Sequence, residues 1–183
     1  MSAVYTFVYN LSIPLLCVLG LLILSGWTAL ALAVSRKNPR TWRWICRGAL
    51  LVAVALIVGK TLMNRTVEYN LYFPQWNPLH SVILYWDQPQ QWRAMFMNIL
   101  LFAPLGGCLP YLLPGGPGRR VWGTVAVGAA ISLAIEVVQQ LTLIGCLQTE
   151  DWLLNTLGTL VGAVAYYAYT ALSKRAKETN FVK

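Results

Sequence analysis

Residues 121–145 read VWGTVAVGAAISLAIEVVQQLTLIG, a stretch with a single charge, Glu136. A helix needs about 20 apolar residues to cross a hydrocarbon core of roughly 30 Å, so this stretch is long enough to span a bilayer. Wound at 3.6 residues per turn, it carries Gly128, Ser132, Glu136 and Gln140 at every fourth position, with Gln139 three residues after Glu136. One face is therefore small or polar, while Val, Ile and Leu cover the rest. The same stretch decides the fold class and marks where a polar site is to be sought.

Four more segments outward from it have comparable length and composition. They are 11–34, which has no charge; 42–63, interrupted by Arg43, Arg47 and Lys60; 95–113, just after Arg93; and 151–172. Asn38-Pro39 and Pro114-Gly115-Gly116-Pro117-Gly118 break the chain between them, as such dipeptides do. The expectation is one all-α, polytopic integral membrane domain over 1–183, with about five transmembrane helices and no internal repeat. Composition agrees: 57% of the 183 residues are hydrophobic and 11% charged. A soluble domain carries about a quarter charged residues, so that class is excluded.

The net charge of +8 would point to a nucleic-acid partner in a soluble protein. Here its positions give another reading. If the five spans alternate, Arg36, Lys37, Arg40, Arg43, Arg47, Arg119, Arg120, Lys174, Arg175, Lys177 and Lys183 fall on one side with a single acid, Glu178. The other side receives Lys60, Arg65 and Arg93 with Glu68, Asp87, Glu136, Glu150 and Asp151. The positive-inside rule makes the first side cytoplasmic, which puts the N-terminus outside and the C-terminus inside and leaves no call for nucleic acid. No Lys or Arg precedes Arg36, so the first span lacks the basic start of a cleavable signal peptide and is expected to stay in the mature protein.

An ionised residue at the centre of a bilayer costs about 2.5–3.5 kcal/mol even on insertion scales, so polar residues inside spans point to function. Besides Glu136 and Gln139, the fifth span carries Asp151, Asn155, Gly158 and Gly162 on one stripe, and Gly158 with Gly162 forms a GxxxG. Such a stripe lets helix backbones approach closely. The third span has Asn98, Phe102 and Gly106 at intervals of four, with Pro104 among them to loosen the helix. Gly158, Gly162, Gly106 and Pro104 are read as helix-packing positions. Lys60 and Asn64 stand one turn apart at the outer end of the second span, with Arg65 beside them.

Counted along their helices, these residues share a depth, with Glu136 just outward of the middle of its span. The expected pocket opens to the outer leaflet. It is lined by Glu136, Gln139, Asp151, Asn155 and Asn98, and Lys60 or Arg65 contacts a phosphate or neutralises the acids. Glu136 and Asp151 are also the candidate acid and base of an intramembrane enzyme, the alternative reading. A third reading makes the stripes interhelical glue only. Glu150 and Asp151 are equally readable as loop and helix N-terminal charges, where acids are favoured.

The connection 64–94 holds Tyr69, Tyr72, Phe73, Trp76, Tyr85, Trp86 and Trp92. Aromatic residues of this kind sit at the membrane boundary, so the connection is expected on the outer surface, with His80–Trp86 as a short helix over the pocket. His80 is the only histidine, and Cys17, Cys46, Cys108 and Cys146 form no CxxC pair, so no metal site is expected. There is no GxSxG, Walker loop or HExxH, and no cofactor is expected.

Three blocks resemble the VanZ-like family of bacterial membrane proteins. They are Asn77-Pro78; Asn98-Ile-Leu-Leu-Phe102-Ala-Pro104-Leu-Gly106 followed by Leu109-Pro110; and Ile135-Glu136-Val-Val-Gln139 leading to Asp151-x-x-x-Asn155-x-x-Gly158. The family-like core covers about 60–172. Family members tend to carry a basic residue and further aspartates between Gln139 and Asp151, where this chain has Gly145, Cys146, Gln148 and Glu150. The resemblance implies a multi-pass protein of the bacterial plasma membrane. The founding member is linked to resistance to teicoplanin-type glycopeptide antibiotics, and no reaction or cofactor comes with the family. Together these readings lead to the expectation of a non-enzymatic protein that binds a lipid, a lipid-linked cell-wall precursor or a lipoglycopeptide at the outer leaflet.

Overall fold

Proline opens three of the helices, because its missing N–H and fixed φ suit the first turn. The computed structural model describes residues 13–63 and 73–181. These form α1 (Ile13–Lys37), α2 (Pro39–Val58), α3 (His80–Tyr85), α4 (Pro89–Cys108), α5 (Pro117–Leu141) and α6 (Thr149–Phe181). A π-helical turn, Gly59–Met63, extends α2, and a 3-10 turn, Leu109–Tyr111, extends α4. Asn38 caps α2 by accepting the Thr41 N–H at 3.1 Å. Among the described residues there is no strand, only an isolated parallel bridge between Gln75 and Gln148.

The segments Pro39–Met63, Pro89–Tyr111 and Pro117–Leu141 are each long and apolar enough to cross a membrane. The chain is an all-helical membrane protein.

Helix limits differ from the apolar segments in informative places. α4 begins at Pro89, six residues before Met95, so part of the stretch read as connection 64–94 is helical. α5 ends at Leu141, short of Gly145. There the Ile144 N–H reaches the Gln139 carbonyl at 3.1 Å and the Leu143 N–H the Gln140 carbonyl, with Leu143 at φ 57°. This is a Schellman ending, in which the left-handed position is usually glycine. Glu136 consequently lies five residues before the end of its helix, nearer the end than the place just outward of the middle expected for it.

The tightest packing joins α4 to α6. A Cβ on Gly158 would collide with the Ile99 carbonyl, one on Gly162 with the Ala103 carbonyl, and one on Gly106 with the Thr159 carbonyl. The expected GxxxG thus meets α4, and Gly106 answers it from the other side. Pro104, expected among these packing positions, is instead exposed on α4, where it lines a groove beside α1. Gly128 on α5 admits the side chain of Thr159, which brings α5 close to the same face of α6.

Two apolar clusters fill the rest of the core. Ile57, Phe102, Leu105 and Ile135 join α2, α4 and α5. Ala31, Trp42, Cys46 and Cys108 join α1, α2 and α4 near the α1–α2 hairpin. Tyr111 stands edge-on to Trp42 and Tyr166 there, with ring centroids 5.3 and 4.9 Å away. At that end Gly115 takes φ 103°, a backbone geometry open to glycine, and its carbonyl receives Arg120 Nε at 2.7 Å.

Candidate functional site

The polar face of α5 is buried along its second half. Ser132, Glu136 and Gln139 expose 2% of their surface or less. Spacing by three and four residues puts them in one column, and each meets a different part of the chain. Ser132 Oγ accepts Asn155 Nδ2 of α6 at 3.0 Å. One turn on, Glu136 Oε2 accepts the backbone N–H of Gln148 at 2.8 Å. Gln139 Nε2 donates to the Thr61 carbonyl at 2.8 Å, within the π-helical turn of α2. Beside them Gln140 Oε1 accepts the Leu147 N–H at 2.8 Å.

The α5–α6 turn is fixed from its other side as well. Gln75 N–H donates to the Leu147 carbonyl at 2.8 Å, and Thr149 N–H donates to the Gln75 carbonyl at 3.0 Å. The connection preceding α3 is therefore stitched to the turn that holds Glu136.

On the neighbouring face, Asn98 of α4 donates through Nδ2 to Asp151 Oδ1 at 2.8 Å. Glu150 is 5% exposed, and its Oε2 accepts the Ser81 N–H of α3 at 3.0 Å. Gln91 Nε2 donates to Ser81 Oγ at 2.6 Å. Glu150 is thus no solvated loop charge, as one reading of the sequence had it, but a buried tie between α6 and α3.

The structure brings Glu136, Gln139, Asp151, Asn155 and Asn98 to one end of the bundle on α4, α5 and α6. Lys60 stands in the π-helical turn next to Thr61, with its side chain exposed. Arg65 lies outside the described residues. Sequence reasoning missed Gln148 and Glu150. Gln148 contributes a backbone N–H, which leaves no trace in a side-chain pattern. Glu150 had a signal, since an acid this close to apolar spans is costly to bury.

Two acceptor atoms in this region, Asn155 Oδ1 and Glu150 Oε1, are buried with no hydrogen-bond partner in the structure. A buried acceptor without a partner costs about 1–3 kcal/mol. Among the described residues no three His, Cys, Asp or Glu side chains come together as a metal site. The arrangement leaves these two buried acceptors, on Asn155 and Glu150, open to a ligand bearing hydrogen-bond donors.

Neither a curated protein nor a solved structure matches the chain. The family model described as VanZ/LLP1 matches residues 11–170, a range that contains α5, the α5–α6 turn and the Asn98, Asp151 and Asn155 positions, and the chain belongs to that family.

Proposed function

We propose that this VanZ/LLP1 protein binds a lipid, a lipid-linked cell-wall precursor or a lipoglycopeptide at the outer leaflet of the bacterial plasma membrane, and so contributes to teicoplanin-type resistance. Its five spans place the N-terminus outside and the C-terminus in the cytoplasm. Glu136, Gln139, Asp151, Asn155 and Asn98 line the site, and Lys60 or Arg65 contacts a phosphate or neutralises the acids. The segregation of Lys and Arg supports this orientation, since it sets the polar end outward. The family supports the antibiotic: teicoplanin acts outside the membrane and carries a lipid tail.

One observation carries the reading. Glu136, the single acid within the apolar stretch 121–145, is buried and tied to a turn that a distant connection braces. An acid placed at this cost is by default functional. Its ligand would supply donors to the buried acceptors and lay its hydrocarbon along the surrounding apolar helices.

The test is protection. A susceptible Gram-positive host expressing the chain should survive raised teicoplanin. Glu136→Gln and Asn155→Ala should each abolish that protection at unchanged membrane abundance. If both variants protect as well as the parent, the site assignment is wrong.

A further inference from the structure

α1 and α4 do not close on each other. Between them runs a groove of about 470 Å³, with Gly26, Trp27, Leu30, Phe96, Leu100 and Pro104 in its walls. Its lining is apolar throughout, and the one polar atom of Trp27, Nε1, is already committed to the Gly107 carbonyl at 3.1 Å. Water gains no partners in such a space, and apolar cavities stay dry. A Cβ on Gly26 would meet nothing within 4 Å, so room remains beside the α1 backbone itself.

Length and charge identify the occupant. The walls extend from Gly20 to Leu30 on α1 and from Phe96 to Cys108 on α4. At 1.5 Å per residue these are roughly 15 and 18 Å. One leaflet supplies half of a hydrocarbon core of about 30 Å, so the groove matches a single acyl chain. On α1 the spacing Ile23, Trp27, Leu30, Val34 continues on the same face to Lys37, which is exposed where the helix ends. Exposed Arg40 and Arg43 follow at the start of α2, and the sequence has no acid before Glu68. A headgroup lying here meets the cations of α1 and α2 with no acid from either helix, which favours a net negative lipid over a zwitterionic one and opposes a second copy docking the same end.

We propose that this groove holds one acyl chain of an anionic phospholipid from the leaflet at the Lys37 end, with the phosphate beside Lys37 and Arg40. The groove shares no lining residue with the polar site, and the proposal does not depend on the function assigned there.

Native mass spectrometry of the purified protein, offered equal phosphatidylglycerol and phosphatidylcholine of identical chains, tests it. The parent should retain phosphatidylglycerol at least tenfold over phosphatidylcholine. Gly26→Phe, whose Cβ meets no atom within 4 Å and whose ring occupies the groove, should lose the adduct. Lys37→Gln with Arg40→Gln should keep an adduct but bind the two lipids equally. Independently of any folding defect in those variants, phosphatidylglycerol brominated on its acyl chain should quench the parent's tryptophan emission more than that of Trp27→Phe. Equal retention of the two lipids by the parent, a Gly26→Phe protein that keeps its adduct, equal quenching with and without Trp27, or a dimer that Gly26→Phe dissociates would each overturn the proposal.

Discussion

Glu136 of α5 and the backbone amide of Gln148 in the α5–α6 turn are joined across 2.8 Å, so a carboxylate near the end of one helix anchors the route into the next. Glu136→Gln retains an acceptor at that position, whereas Glu136→Leu leaves the Gln148 N–H without one. Exchanging the carboxyl for a carboxamide is expected to cost less than removing the acceptor, which costs about 1–3 kcal/mol. Equilibrium unfolding in mixed detergent micelles checks the ranking. Equal stability of the Gln and Leu variants would show that the bond does not hold the turn.

The α4–α6 contact makes a contrasting prediction within one residue type. Ala at Gly106, Gly158 or Gly162 sets a methyl against a partner backbone carbonyl, and overpacking of this kind costs about 1–3 kcal/mol. Gly48 has open space around it, and Gly48→Ala should leave stability unchanged or raised. Thermal unfolding of the four variants decides whether these glycines are needed for helix approach or are incidental.

Some of this was legible in the residues and some was not, for physical reasons. Glu136, Asp151, Asn98 and Asn155 stand out because polar groups in apolar spans are costly and helical spacing assigns them to faces. Glu150 was obscured because an acid in a helix's first turn is an ordinary match to the helix dipole, and its tie to Ser81 spans 69 residues. The end of α5 was obscured because Leu143 occupies a left-handed position that glycine normally signals. The π-helical turn that presents the Thr61 carbonyl to Gln139 has no sequence mark at all. Pro104 was assigned to packing on its residue type, while only the facing of α4 shows that it turns to the groove beside α1.

Gln139 donates to the Thr61 carbonyl, which closes the end of α2 against α5. Gln139→Leu has similar bulk and no donor, so that buried carbonyl loses its side-chain partner. Hydrogen exchange should rise across Gly59–Met63 and stay unchanged in the middle of α2. Unaltered protection of Gly59–Met63 would mean that the π-helical turn holds itself.

The bond from Asn98 to Asp151 joins α4 to α6 independently of the glycine contacts. A double-mutant cycle with Asn98→Leu and Asp151→Leu isolates it. Interhelical hydrogen bonds in membranes have coupling energies averaging about 0.6 and reaching about 1.7 kcal/mol, and this pair should fall toward the upper figure because the acceptor is a carboxylate. A coupling indistinguishable from zero would remove the pair from the structural ties of the site.

The proposed orientation is open to direct chemical test, because three native thiols are out of reach. Cys46, Cys108 and Cys146 expose 6% of their surface or less, so they should resist a membrane-impermeant maleimide, and Cys17→Ser removes the fourth. Single cysteines can then be placed at Trp76, Lys37 and Gly116, all exposed, and at Gly116 a Cβ meets nothing within 4 Å. One span separates Lys37 from Trp76, and two separate Lys37 from Gly116. With the N-terminus outside, Trp76→Cys should label in intact cells, and Lys37→Cys and Gly116→Cys only after permeabilisation. Labelling of Lys37→Cys in intact cells would turn the bundle over and place the Glu136 end in the cytoplasm, where teicoplanin does not act.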